Sequence, residues 1–90
     1  GLRERTVRKT AVERGWTGVP VLGARLPIKV GHSGGAIVQA TPEFEPAASL
    51  AAVHGLPVHE VLEAASAAAH AAGFVSGNAV PPGLTPDPPA

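Results

Sequence analysis

Arg25-Leu26-Pro27-Ile28-Lys29-Val30-Gly31-His32-Ser33-Gly34-Gly35-Ala36-Ile37-Val38-Gln39-Ala40 is the stretch whose reading decides the fold. In its first half, Leu26, Ile28 and Val30 point one way while Arg25, Pro27 and Lys29 point the other, the two-residue period of a half-buried strand. Gly31–Gly35 then reads as a hairpin loop whose glycines accept positive φ. Ala36–Ala40 is the returning strand. Strands joined so closely must run antiparallel.

Working outward toward the N-terminus, Gly23-Ala24 reads as a tight connection. Val19-Pro20-Val21-Leu22 reads as a short strand, with Pro20 marking an edge or bulge because it cannot donate to a ladder. Gly15-Trp16-Thr17-Gly18 reads as a turn. Arg3–Arg14 reads as a further extended segment rich in β-formers, with Thr6, Val7, Thr10 and Val12 among its charges. Those charges fall on both faces, so it belongs at an edge or an interface.

Toward the C-terminus the period changes. Pro46–His54 reads as a helix, with Glu45 near its N-cap and acidic charge at its positive end; Gly55 stops it. Pro57 opens a second helix. On it Val58, Val61, Leu62, Ala65, Ala69 and Ala72 form an apolar face, opposite His59, Glu63, Ser66 and His70, and Gly73 ends it. The order β-β-β-β-α-α predicts an α+β domain over residues 1–73: a small antiparallel meander followed by two helices packed on one face. Residues 74–90 are rich in Pro and Gly and read as a disordered or PPII-like tail, ordered only if a partner holds it.

Ninety residues make one domain at most. With one Trp, two Phe and an apolar content dominated by Ala and Val, the core is thin, which predicts help from a homo-oligomeric interface, with a trimer or hexamer expected, or from the rest of a longer protein. The formal charge is zero, so no global field favours nucleic acid or a membrane. Five of the seven basic residues nevertheless lie in the first fourteen positions. With no Cys there is neither a disulfide framework nor a thiolate metal site, which suits a cytoplasmic protein. No signal-peptide pattern opens the chain, and its start at Gly1 suggests an N-terminal portion beyond it.

Several groups could carry chemistry. The basic strand holds arginines whose guanidinium groups match phosphate bidentately, against the plainer reading of a solvated edge. Gly31–Gly35 could cradle phosphate but lacks the Walker spacing, so a plain turn is favoured. His59 and Glu63, four apart on a helix face, could share a metal, yet His70 is three turns on and a solvated face explains them better. Glu43 and Glu45 could hold a divalent ion or serve helix electrostatics. No nucleophile–base–acid set can be assembled.

Four segments together resemble the C-terminal part of the LarC family of nickel insertion proteins: Gly1-Leu2-Arg3 with Val7-Arg8 and Val12-Glu13-Arg14 behind it, Gly23-Ala24-Arg25-Leu26-Pro27-Ile28-Lys29-Val30, Pro42-Glu43-Phe44-Glu45, and His54-Gly55-Leu56-Pro57-Val58-His59-Glu60-Val61-Leu62-Glu63-Ala64-Ala65. The resemblance runs from Gly1 to about Gly73. It implies a lyase-class, CTP-dependent cyclometallase that inserts nickel into a pyridinium bis-thiocarboxylate mononucleotide with the help of manganese or magnesium, and thereby completes the nickel-pincer nucleotide cofactor. The part represented here would contribute CTP binding and oligomer formation and be inactive alone. Its partners would be further copies of itself and the upstream half and N-terminal part of the same protein.

Carried over residue by residue, the resemblance makes Arg3, Arg8, Arg14 and Lys29 candidates for nucleotide contact and Glu43 a candidate metal ligand. Pro46 stands where the family has an Asp, which removes a carboxylate. A docking or self-association module without catalysis is the alternative, motivated by the Ala-rich second helix.

Overall fold

The computed structural model describes residues 12–88. The part of the expected first strand over residues 1–11, including Arg3 and Arg8, lies outside them. Three strands, β1 (Glu13–Val21), β2 (Ala24–Ser33) and β3 (Ala36–Pro42), form an antiparallel sheet in the order β1-β2-β3. Two helices follow, α1 (Phe44–His54) and α2 (Val58–Ala71), completing the α+β meander-then-helices arrangement expected from the sequence.

Leu26, Ile28 and Val30 of the central strand are buried, with Ile28 and Val30 wholly so. Val19 and Val21 of β1 and Ile37 of β3 join them on the inner face. Onto this face α2 packs Val61, Ala65 and Ala69, spaced four apart, and α1 packs Ala47 and Ala51. These residues repeat on one helical face, as amphipathic packing requires. The helix contacts are mostly methyl groups, so each contributes little area, and close approach of backbones replaces bulk. α1 closes at Gly55, left-handed at φ 66, whose N–H donates to the carbonyl of Ala52 while that of Leu56 donates to Ala51.

The turns differ in detail from the sequence reading. Leu22-Gly23 joins β1 to β2 and Gly34-Gly35 joins β2 to β3, all four residues at positive φ (53, 79, 61 and 80). Paired positive φ at two central residues matches the right-handed twist of a two-residue hairpin. β2 therefore runs on through Gly31, His32 and Ser33, which the sequence had suggested as loop, with a bulge at Gly31/His32. The expected turn Gly15–Gly18 is likewise uninterrupted strand. These glycines serve close approach instead of chain reversal: a Cβ on Gly15 would lie 3.1 Å from Leu84 Cβ, and one on Gly18 2.7 Å from Arg25 Cγ. α1 begins at Phe44 with Glu43 as N-cap, so Pro46 is the third helical residue, within the turn whose N–H groups have no helical partner. Ala72 lies exposed beyond the last turn of α2 and does not extend its buried face.

The segment after Gly73 also departs from the expectation of a disordered or PPII-like tail. Phe74 is buried, and its N–H donates to the carbonyl of Ala69. Gly77 donates to Ile37, Ile37 donates to Asn78 (both 2.8 Å), and Val80 donates to Gly35, which closes the outer edge of β3. Farther on, Trp16 donates to Thr85 at 2.8 Å and Thr85 donates back at 2.9 Å, which closes the edge of β1. Between these bridges Val80 and Leu84 pack against the core. The chain's own sheet edges hold this tail, because unpaired edge groups and an uncovered inner face at Gly15 offer it both hydrogen bonds and apolar contact.

Two substitutions test this packing by chemical denaturation. Gly15→Ala is expected to destabilise the chain by about 1–3 kcal/mol through overpacking against Leu84, and by less in a Leu84→Ala background. Leu22→Asn, at an exposed left-handed position, is expected to stabilise it by about 0.5–1 kcal/mol, since Asn tolerates that conformation and Asn-Gly favours the turn.

Candidate functional site

The outer face of the sheet carries the functional candidates. Direct pairing of Arg14 with Gly31 and of Trp16 with Lys29 across β1 and β2, then of Gly31 with Gln39 and Lys29 with Thr41 across β2 and β3, sets two neighbouring rows. Residues paired in this way project to the same side of the sheet. Arg14, Trp16 and Gly18 thus alternate along β1, and Arg25, Pro27 and Lys29 along β2.

Among the described residues, two hollows are lined by side chains of this face. The smaller, about 110 Å³, is lined by Val12, Arg14, Lys29, Gly31 and Gln39. Gly31 keeps it open, since a Cβ there would meet Val12 Cγ1 at 3.3 Å and Gln39 Cγ at 3.7 Å. Its lining includes Arg14, Lys29 and the neutral amide residue Gln39, residue types suited to an anionic oxygen cluster. Gln39 is itself held by a 3.1 Å hydrogen bond from its Nε2 to Thr41 Oγ1.

The larger hollow, about 330 Å³, is lined by Trp16, Thr17, Gly18, Arg25, Pro27, Gly83 and Thr85. The absent side chain of Gly18 lets Arg25 lie across the strand, and the tail supplies the far wall. Trp16 belongs to this hollow, while its strand partner Lys29 lines the smaller one, so the two adjoin. The indole Nε1 of Trp16 is buried and has no hydrogen-bond partner in the structure described. An unsatisfied buried donor is uncommon and carries a desolvation penalty.

The structure therefore unites Arg14 and Lys29 but does not bring Glu43 to them. Glu43 is tied to the β2 backbone by its N–H, which donates to the Pro27 carbonyl at 3.0 Å, and it lines neither hollow. Its position as N-cap of α1 gives it an electrostatic role at the helix start, although its side chain makes no capping hydrogen bond. Arg3 and Arg8 lie outside the described residues. His59, Glu63 and His70 are exposed on α2, and among the described residues no three His, Asp or Glu gather as a metal site. His32 lies opposite Glu13 at the end of β2, and His54 is in the last turn of α1. Among those residues no helix is long and apolar enough to cross a membrane.

The sequence reading missed Trp16, Arg25, Gly31 and Gln39. The signal was the alternation Arg14-x-Trp16-x-Gly18, visible only once Gly15–Gly18 is read as strand.

Arg14 and Lys29 lie at the surface, and neither belongs to the buried core. Arg14→Ala and Lys29→Ala are each expected to change the unfolding free energy by no more than about 0.5 kcal/mol, measured by urea denaturation. A larger loss would make these side chains structural.

Comparison with known proteins shows the family of the chain. The family model described as nickel insertion protein matches residues 1–62. A Myxococcus xanthus protein provisionally named a nickel insertion protein is 38% identical over 68 residues, which cover 76% of this chain and 17% of that protein. A pyridinium-3,5-bisthiocarboxylic acid mononucleotide nickel insertion protein from a Nocardioides species is 42% identical over 67 residues, 74% of this chain and 17% of that protein. The chain thus spans about a sixth of the length of the curated relatives it matches. No solved structure matches it. The family match extends from residue 1 across all three strands and α1 into α2, so the chain belongs to the nickel insertion protein family.

Proposed function

We propose that this α+β unit serves insertion of nickel into a pyridinium-type mononucleotide, as the name of the Nocardioides relative describes for that protein, and that its part is to hold nucleotide phosphate on the outer face of the sheet. The observation that carries the reading is the convergence of Arg14 and Lys29, from adjacent strands, on a pocket kept open by Gly31. The strand register fixes the backbone positions from which both side chains reach the pocket. Arg14 offers a planar fork to two phosphate oxygens and Lys29 a compact point charge. Nickel is cargo in this scheme, and the described residues are given the nucleotide and not the metal.

CTP, accompanied by manganese or magnesium, is the nucleotide assigned to this pocket, and Arg3 and Arg8 are assigned to the same phosphate chain. The pocket of about 110 Å³ suits a phosphate group and not a whole nucleotide, for which sites of about 300 Å³ or more are usual. The remainder of the nucleotide must lie beyond it.

Self-association is a second reading, favoured by one observation: Phe44 and Val53 of α1 stand 58% and 79% exposed on a chain whose core is largely Ala and Val. Nine residues apart, they lie on opposite sides of α1, so each would meet a different neighbour in an assembly. In that assembly the cytoplasmic nickel insertion protein would bring several nucleotide pockets together. Light scattering at high concentration distinguishes it, since a persistent monomer contradicts self-association.

Calorimetric titration with CTP and manganese, with ATP as control, tests the nucleotide reading. Selective CTP binding is expected, weakened roughly tenfold by Arg14→Ala or Lys29→Ala, the loss of about one charge-assisted hydrogen bond. Unchanged affinity in both variants would remove the pocket from the account.

A further inference from the structure

The segment after Gly73 is attached to the sheet at two places, and the two are built differently. The first is self-supporting. Phe74 is buried, and its N–H donates to the carbonyl of Ala69. In the turn that follows, Asn78 donates its N–H to the Val75 carbonyl at 2.9 Å and its side-chain Nδ2 to the Gly73 carbonyl at 3.4 Å. Gly77, Asn78 and Val80 then bond along the edge of β3 through Ile37 and Gly35.

The second attachment is narrow. Among the described residues, Thr85 makes the only backbone hydrogen bonds from 81–88 to the rest of the chain, its reciprocal pair with Trp16. Pro81, Pro82, Pro86 and Pro88 have no N–H to give. Leu84 packs against the core and fills the space beside Gly15, while Thr85, Pro86 and Asp87 are exposed. Between the two attachments Gly83 is exposed and left-handed, at φ 99, with open space where a side chain would be.

We propose that residues 83–86 are a strap that lifts from β1 on its own, with Pro81-Pro82-Gly83 as its hinge, while residues 74–80 stay on β3. Parts of a protein open with free energies of their own, and few buried apolar contacts with exposed backbone bonds mark the low end. Lifting the strap breaks one reciprocal pair and withdraws Leu84. The ladders of the sheet and the packing of both helices stay intact. Gly83 absorbs the change in backbone angles, as a residue without a Cβ can. The prolines hold the strap extended, so it moves as a stiff piece.

The strap touches both faces of the sheet. Gly83 and Thr85 wall the larger hollow, and Leu84 covers Gly15 on the inner side. With the strap down, the hollow is walled and the edge of β1 at Trp16 is closed. With the strap lifted, the hollow loses that wall and the edge is free to pair with another extended segment. One motion therefore governs access to the hollow and to the strand edge, whatever the outer face binds.

Native-state amide hydrogen exchange on the 90-residue chain, followed by NMR, reads the two attachments separately. Each supplies an edge amide with the same bond length: the Trp16 N–H donates to Thr85 and the Ile37 N–H donates to Asn78, both at 2.8 Å. Protection at Trp16 and Thr85 is expected to be at least tenfold lower than at Ile37. It is also expected to change little with urea below the unfolding transition, because lifting the strap exposes little surface, whereas protection along β2 falls steeply. A difference of less than tenfold between Trp16 and Ile37, or a urea dependence at Trp16 as steep as that of β2, would mean that tail and sheet open as one unit and would overturn the strap.

Discussion

The burial of Leu26, Ile28 and Val30 beneath two helices of small residues is the constraint on which everything else depends. Because Ala47, Ala51, Ala65 and Ala69 present only methyl groups, the helices sit close to the sheet and cover its inner face without large side chains. That commits one face of each strand to the core. The two-residue period then forces Arg25, Pro27 and Lys29 onto the opposite face. No separate device is needed to gather the cations, since the same alternation that buries Ile28 exposes Lys29 beside it.

The thin core has a second consequence. Two short helices leave the inner face uncovered near Gly15, and the tail completes it with Leu84 and Val80 while bonding to both sheet edges. The segment that closes the hydrophobic side also reaches round β1 to wall the hollow beside Trp16. Stability and the candidate site are thereby linked through residues 83–85, and the polar face is concave instead of flat. A concave surface can enclose a bound ligand more fully than a flat sheet can.

Much of this was legible in the sequence where period and punctuation agree. Arg25–Val30 announced its strand by strict alternation, Gly55 its left-handed helix stop, and Val61, Ala65 and Ala69 their shared face. Glycine was the main source of misreading. Gly15, Gly18 and Gly31 lie within strands because a neighbour occupies the space of the missing side chain, and no local pattern separates that use from a turn. The tail was opaque for a similar reason. Its Pro and Gly content signals an absence of regular structure, whereas its order comes from edges and a gap formed far away in sequence. Of the candidate site, Arg14 and Lys29 could be named from resemblance, but their meeting depends on the Arg14–Gly31 and Trp16–Lys29 register. Trp16 and Arg25 became visible only when that register was known.

The account's central claim is that the outer sheet face of this nickel insertion family member receives a nucleotide. Amide chemical-shift mapping of the isotopically labelled chain with CTP and magnesium tests it most directly. The account predicts perturbations confined to residues 12–18, 25–31, 39–41 and 83–85, with the exposed side of α2 around His59, Glu63 and Ser66 unaffected. Perturbations centred on the helices, or none at saturating nucleotide, would contradict it.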